Sequence, residues 1–83
     1  MLATVASINS ANRLKARLSE KFAVPARVMQ TPSALTKEGC GYSIKFENSH
    51  KSMVKKCAHE LHINIRSFFR EETKSGETVY IKE

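Results

Sequence analysis

The spacing of apolar residues changes along the chain, so that segments typical of strands are followed by segments typical of helices. Residues 2–8 are rich in side chains that suit a buried strand. A helix is predicted from Asn9 and Ser10, its expected N-cap, to about Phe22, because apolar residues then recur at helical spacing. Those residues are Ala11, Leu14, Leu18 and Phe22. Pro25 disfavours helical geometry at Val24, so these two residues should not extend the helix.

The middle of the chain reads as two strands joined without a long helix. Residues 26–30 predict a second strand with Ala26 and Val28 facing the core. Thr31 and Pro32 resemble a helix start, so residues 33–38 predict a helical turn that Gly39 ends. Residues 42–46 alternate apolar and polar side chains, which predicts a strand with one buried face.

The last third of the chain repeats the helix-strand order. Asn48 and Ser49 are the expected caps of a second helix. Its apolar stripe comprises Met53, Val54, Cys57, Ala58 and Leu61. Residues 63–72 predict a fourth strand, and Ser75 with Gly76 predicts a turn into a short strand over residues 78–82.

The predicted order is β-α-β-β-α-β with a C-terminal hairpin strand. It indicates an α+β fold of the ferredoxin-like sandwich type, with two helices on one face of an antiparallel sheet. The 83 residues suffice for one domain, residues 1–83, with a single modest core.

Composition narrows the environment and the partners. The apolar start, residues 1–8, is too short for a membrane span and lacks the basic flank of a signal peptide, so we expect a cytoplasmic protein without membrane contact. Two cysteines in a reducing compartment argue against a structural disulfide. A net charge of +6 favours anionic partners, either nucleic acid or an acidic protein surface.

Cys40 stands between Gly39 and Gly41 at the start of the third strand. Flanking glycines leave a thiol uncovered and let backbone N–H groups turn toward it, which favours the thiolate. Lys37 and Lys45 could add positive potential. The alternative is that Cys40 is merely a small residue at a strand start and that the glycines serve turns.

The stretches "TPSALTKEGCGYSIKF" and "NIRSFF" resemble the small selenium/sulfur carrier-like proteins, over nearly the whole chain. The matching positions are Pro32, Leu35, Thr36, Cys40 and Gly41. Two positions depart from the family pattern: Ser33 replaces the usual basic residue, and Thr36 replaces the usual serine.

The resemblance implies that Cys40 carries sulfur or selenium as a persulfide or perselenide. The partners would then be a donor enzyme and an acceptor protein, and no cofactor or metal is expected. No side chain in the sequence is recognisable as a base fixed beside Cys40, so a carrier is favoured over a self-sufficient enzyme.

The remaining cysteine, the histidines and the basic residues can be explained without a catalytic or metal-binding role. Cys57 lies on the apolar stripe of the second helix and should be buried. His59 and His62 have no third ligand at metal-binding spacing, which favours two solvated histidines. Basic residues form rows on both helices, which indicates a solvated face or a docking surface for an acidic partner. They are Arg13, Arg17 and Lys21 on the first helix, and Lys51 and Lys55 on the second.

RNA binding is the main alternative function, because ferredoxin-like folds also include RNA-recognition domains. In "GYSIKF", Ile44 replaces the second stacking ring of their motif. The open sheet face is expected to show Ser43, Lys45, Arg27, Arg66 and Phe68, which is basic but poor in rings. An adaptor domain that forms a homodimer through the open sheet face, with Met29 and Phe68, is a further alternative.

Overall fold

The computed structural model describes residues 1–32, 35 and 41–83. Within them the chain forms β1 (Leu2–Val5), α1 (Ile8–Phe22), β2 (Arg27–Gln30), β3 (Tyr42–Lys45), α2 (Lys51–Glu60), β4 (Ser67–Lys74) and β5 (Glu77–Lys82). The helical turn predicted over residues 33–38, with its stop at Gly39, lies outside the described residues. No helix in the described ranges is both long and apolar enough to cross a membrane.

The five strands form one antiparallel sheet in the order β2-β3-β1-β4-β5. The α+β class is therefore confirmed. Ser75 and Gly76 have φ angles of 52° and 78° and join β4 to β5 in a tight turn, so the C-terminal hairpin is also confirmed. Because β5 extends the sheet beyond β4, the strand order differs from that of a four-stranded ferredoxin-like sheet. The ferredoxin-like assignment stays a prediction.

A single apolar cluster joins both helices to one face of the sheet. The sheet contributes Ala3, Val5 and Ile44, Phe46 follows directly after β3, and the helices contribute Ala11, Leu14, Leu18, Val54, Cys57 and Ala58. The two helices also contact each other. They therefore pack side by side over the same face, as their apolar stripes predict.

Both ends of α1 are set by local hydrogen bonds. The predicted N-cap at Asn9 and Ser10 is wrong, because the helix begins at Ile8 and the N-cap is Ser7, whose Oγ accepts from the Ser10 N–H at 3.2 Å. The helix ends at Phe22 as predicted. Ala23 follows with φ 52° and donates its N–H to the carbonyls of Leu18 and Ser19.

The predicted boundaries of the later elements need correction. Asn48–His50 forms a 3-10 turn, and α2 begins only at Lys51, so Asn48 and Ser49 are not its caps. β4 begins at Ser67, not at residue 63. Ile63 is buried, and Ile65 is packed against the core, in an irregular connection. Apolar residues that pack from a loop give the same pattern as a short strand.

The sheet face opposite the helices is partly covered. Leu2 and Ser43 are fully buried there, and Thr4 is 8% exposed. The predicted exposure of Ser43 and Phe68 on this face is wrong: Phe68 pairs with Ala3, so it points toward the helices. Phe69 takes the opposite face instead. The sequence does not show which of the adjacent residues Phe68 and Phe69 faces the helices, and the register between β1 and β4 decides it.

Candidate functional site

The connection between β2 and β3 is anchored at both ends. The Thr31 N–H donates to the Gly41 carbonyl at 3.0 Å, which extends the pairing of Gln30 with Tyr42 by one step. The Leu35 N–H donates to the Pro32 carbonyl at 2.9 Å, which closes a turn. The segment that contains Cys40 therefore leaves β2 and returns to β3 through hydrogen-bonded residues.

Gly41 has a backbone conformation that other residues rarely adopt. Its φ angle is 147°, and a Cβ added there would lie 3.5 Å from Thr31 Oγ1 and 3.9 Å from the Val5 carbonyl. These are ordinary contact distances, so backbone strain, not crowding, accounts for the glycine. The residue directly after Cys40 is thus a conformational requirement of this turn into β3.

A buried pair of hydroxyl groups lies beside Gly41. Thr31 Oγ1 and Ser43 Oγ are 2.7 Å apart, and the residues are 8% and 0% exposed. Each hydroxyl satisfies the other where water cannot reach, which ties the end of β2 to β3. Sequence reasoning missed this pair: it took Thr31 for a helix cap and Ser43 for an exposed residue. The available signal was two uncharged hydroxyls flanking the loop.

The N-terminus of α1 lies at the same edge of the sheet as Gly41. β1 ends at Val5, which pairs with Tyr42, and Ser7 caps α1 two residues later. The first turn of α1 contains no acidic residue, so no side-chain carboxylate there offsets the positive end of the helix dipole. Ile8 in this first turn is 46% exposed. This edge therefore combines partial positive charge with an exposed apolar side chain.

The predicted site residues are only partly brought together. Gly41 and Pro32 lie at the two ends of the anchored connection. Thr36, Lys37, Gly39 and Cys40 lie outside the described residues. Lys45 is at the far end of β3, about 13 Å along the strand from Gly41, and its Nζ is 3.4 Å from Glu71 Oε2. The structure does not bring Lys45 close to Gly41.

Cys57 is fully buried, as predicted. Burial raises the pKa of its thiol, and the nearby Glu60 carboxylate raises it further. A thiol that is inaccessible and disfavours ionisation is unsuited to sulfur exchange. Cys57 is therefore a core residue.

His59 and His62 are not grouped with other metal ligands among the residues that the structure describes. His59 and His62 are both exposed, and His62 has a φ angle of 56° just beyond the end of α2. In the described part of the chain, no group of three or more His, Cys, Asp or Glu side chains could hold a metal ion. The interpretation of these histidines as solvated side chains agrees with their exposure.

The two rows of basic residues have different surroundings. Arg17 and Lys21 of α1 both pair with Glu60 of α2, which bridges the helices. Lys51 and Lys55 of α2 instead place their ammonium groups 5.0 and 5.7 Å from the centre of the Phe68 ring. The α2 row therefore borders β4. Each row is partly neutralised, because Glu60 pairs with Arg17 and Lys21 and Glu83 pairs with Lys51 at 3.9 Å.

Phe68 does not lie where the RNA-recognition alternative needs an exposed ring, and Phe69 takes the open sheet face instead. The Phe68 ring packs edge-on against Phe46, with a centroid separation of 6.4 Å, and it lies beside the core on the helix side of the sheet. RNA-recognition domains need rings exposed on the open sheet face for base stacking. Phe68 does not provide such a platform.

Comparison with known proteins identifies the family. The model of the family described as "Putative Se/S carrier protein-like" matches residues 1–70, which include all of the site described above. No curated protein matches the chain, and no solved structure does. The match spans both helices, the first three strands and the start of β4. The chain belongs to the Se/S carrier protein-like family.

Proposed function

We propose that this protein carries sulfur or selenium in the zero oxidation state on Cys40, between a donor enzyme and an acceptor protein. The carrier role follows the name of the family, whose model matches residues 1–70. The φ angle of 147° at Gly41, directly after Cys40, is the observation that supports Cys40 as the carrier residue. Gly41 is anchored to Thr31 by a backbone hydrogen bond, and a side chain at position 41 would strain the backbone.

The surroundings of Gly41 favour a thiolate on the preceding residue. An ordinary thiol has a pKa of about 8.5 and is mostly protonated at neutral pH. The N-terminus of α1, which has no acidic residue in its first turn, contributes positive potential at this edge of the sheet. Lys37 in the same connection would add to it, and we expect the pKa of Cys40 to lie below the ordinary value.

The other residues of the motif have supporting roles in this proposal. Gly39 carries no side chain next to the thiol, Pro32 restricts the backbone where the connection begins, and Thr36 is the remaining position of the motif. Lys45 contributes at most long-range potential, because Glu71 pairs with its ammonium group at the far end of β3.

The transfer step is a thiol exchange without net oxidation. The Cys40 thiolate attacks the outer sulfur of a persulfide on the donor, a new S–S bond forms, and the S–S bond of the donor breaks. The donor cysteine leaves as a thiolate, and the proton stays on the transferred sulfur. A thiolate of the acceptor repeats the reaction on the Cys40 persulfide. Selenium follows the same course with an S–Se bond.

Intact mass spectrometry tests the assignment. The protein is incubated with a cysteine desulfurase and cysteine, and its mass is measured with and without reductant. We expect one labile sulfur, about 32 Da, to be added to Cys40 and lost on reduction, because an accessible thiolate accepts sulfane sulfur. Cys40→Ser should abolish the adduct. Cys57→Ser is the matched control and should retain it, since Cys57 is fully buried.

The result that contradicts the proposal is equally clear. If wild-type protein gains no mass that reductant removes, Cys40 is not a sulfur acceptor. An adduct that persists in Cys40→Ser would assign the chemistry to a different residue.

A further inference from the structure

A cavity of about 270 Å³ opens between α2 and the segment that leads into β4. Its lining residues are Lys55, Ala58, His59, Ile63, Ile65 and Phe68; we call it the α2–β4 groove. Ala58 and Ile63 are buried, while Ile65 and Phe68 are half-buried. The floor is thus apolar and partly open to solvent. Its volume is below the range of about 300–1,000 Å³ typical of small-molecule sites and suits one or two side chains.

The rim of the α2–β4 groove is positively charged. Lys51 and Lys55 place their ammonium groups over the Phe68 ring. Their apolar stems therefore cover part of the groove, and these flexible side chains would have to move aside for a ligand. Exposed His59 lies on the same helix. The carboxylate of Glu60 is held by Lys21 on the opposite side of α2, where this hydrogen bond holds its pKa below the usual range. It therefore does not neutralise the rim. Glu83 Oε1 is 3.9 Å from Lys51 Nζ and pairs with it, so Lys55 supplies the main positive charge of the rim.

We propose that the α2–β4 groove docks an acidic peptide segment of a partner protein through one large apolar side chain. The apolar floor accepts the side chain, and the lysines on the rim pair with carboxylates that flank it. This combination favours a peptide over RNA, because the described residues that line the groove include a single phenyl ring, over which two lysine ammonium groups lie, and not a row of rings for successive bases.

The position of the groove relates it to Cys40, a step that rests on the proposed function. The Arg66 N–H donates to the Thr4 carbonyl, so the segment before β4 lies at the same edge of the sheet as Gly41. Only β1 separates β3 from β4, which places these backbones about 10 Å apart. A donor or acceptor held in the groove would thus have its remaining surface near Gly41, the residue that follows the proposed carrier cysteine.

Fluorescence anisotropy with a synthetic peptide tests the docking. The probe is a labelled peptide with one central leucine flanked by aspartates and glutamates. Two control peptides replace the leucine with serine or the acidic residues with their amides. Lys55→Glu is compared with Lys15→Glu, since both are exposed helical lysines and only Lys55 lines the groove.

We expect Lys55→Glu to weaken binding about fivefold or more, and Lys15→Glu to weaken it less than twofold, because a local attraction becomes a repulsion only at position 55. Both control peptides should bind more weakly than the probe, and added salt should weaken the probe. Amide shifts in NMR spectra should concentrate at Ile63, Ile65 and Phe68.

Several results would overturn the inference: no binding by the probe, equal effects of the two lysine substitutions, or amide shifts elsewhere on the protein. Displacement of the peptide by single-stranded RNA at equal concentration would assign the groove to nucleic acid instead. Cys40→Ser should bind the peptide as well as wild type does. Loss of the sulfur adduct and loss of docking are therefore separate outcomes, and each refutes only its own proposal.

Discussion

Gly41→Ala tests whether position 41 needs glycine for its backbone conformation or for lack of space for a side chain. The added Cβ would meet Thr31 Oγ1 at 3.5 Å and the Val5 carbonyl at 3.9 Å, which are ordinary contacts. The substitution therefore adds little steric conflict. Its main effect is to force a residue with a Cβ into a φ angle of 147°.

The expected loss of stability follows from two opposing terms. Holding a non-glycine residue in this region costs about 1–3 kcal/mol. Replacing glycine also restricts the unfolded chain, which offsets about 0.4–1 kcal/mol. We therefore expect the free energy of unfolding to fall by about 1–2 kcal/mol. For a domain of this size, such a loss lowers Tm by about 5–15 °C.

Gly76→Ala is a matched control. Gly76 has a φ angle of 78° in the β4–β5 turn, and an added Cβ would have no neighbour within 4 Å. Both substitutions should lower the free energy of unfolding, measured by urea denaturation, by similar amounts. Only Gly41→Ala should slow the loading of sulfur onto Cys40, by about tenfold or more, because a displacement near 1 Å can cost a reaction about a hundredfold.

Two outcomes would refute this reasoning. If Gly41→Ala is as stable as wild type, the φ angle of Gly41 imposes no strain on other residues. If Gly41→Ala and Gly76→Ala load sulfur at the same rate in the mass assay, the turn at Gly41 does not position Cys40.

Two further predictions concern buried groups. Ser43→Ala should cost about 1–3 kcal/mol, because it leaves the Thr31 hydroxyl buried without its partner, and adding Thr31→Val should recover part of that loss; additive losses in a urea double-mutant cycle would contradict the pairing. In a Cys40→Ser background, burial raises the pKa of Cys57 in the folded protein above that of the unfolded thiol, which is about 8.5. The stabilisation from the neutral thiol should be complete below the unfolded pKa and should disappear as the pH rises through the folded pKa. Cys57→Ala should remove this alkaline loss, and urea curves that fall equally in both proteins would exclude it.

The local patterns of the sequence determined the class of the fold. The helical spacing of Leu14 and Leu18 on α1, and of Val54 and Cys57 on α2, defined two apolar stripes that the structure buries in one core. The turn at Ser75 and Gly76 was equally readable, because few residue pairs suit two positive φ angles. Periodicity and turn chemistry act over a few residues, so the sequence alone expresses them.

The family was also recognisable from the sequence, because its motif is a short run of residues around Cys40 and Gly41. The requirement for glycine at position 41 was not. Gly41 has a φ angle of 147° and accepts a hydrogen bond from Thr31 of the neighbouring chain segment, and neither feature can be read from the sequence. A glycine in a sequence indicates that an unusual angle is allowed, not that it is used.

Only the tertiary structure decided which groups meet. The register between β1 and β4 chose Phe68 over Phe69 for the helix face, and it placed the α2–β4 groove beside Lys51 and Lys55. The pairing of β2 with β3 joined Thr31 to Ser43, twelve positions apart, and the extended β3 separated Lys45 from Gly41. A shift of one residue in pairing would exchange the two faces of a strand without changing its local pattern, and the energy that selects the register comes from packing against the rest of the protein.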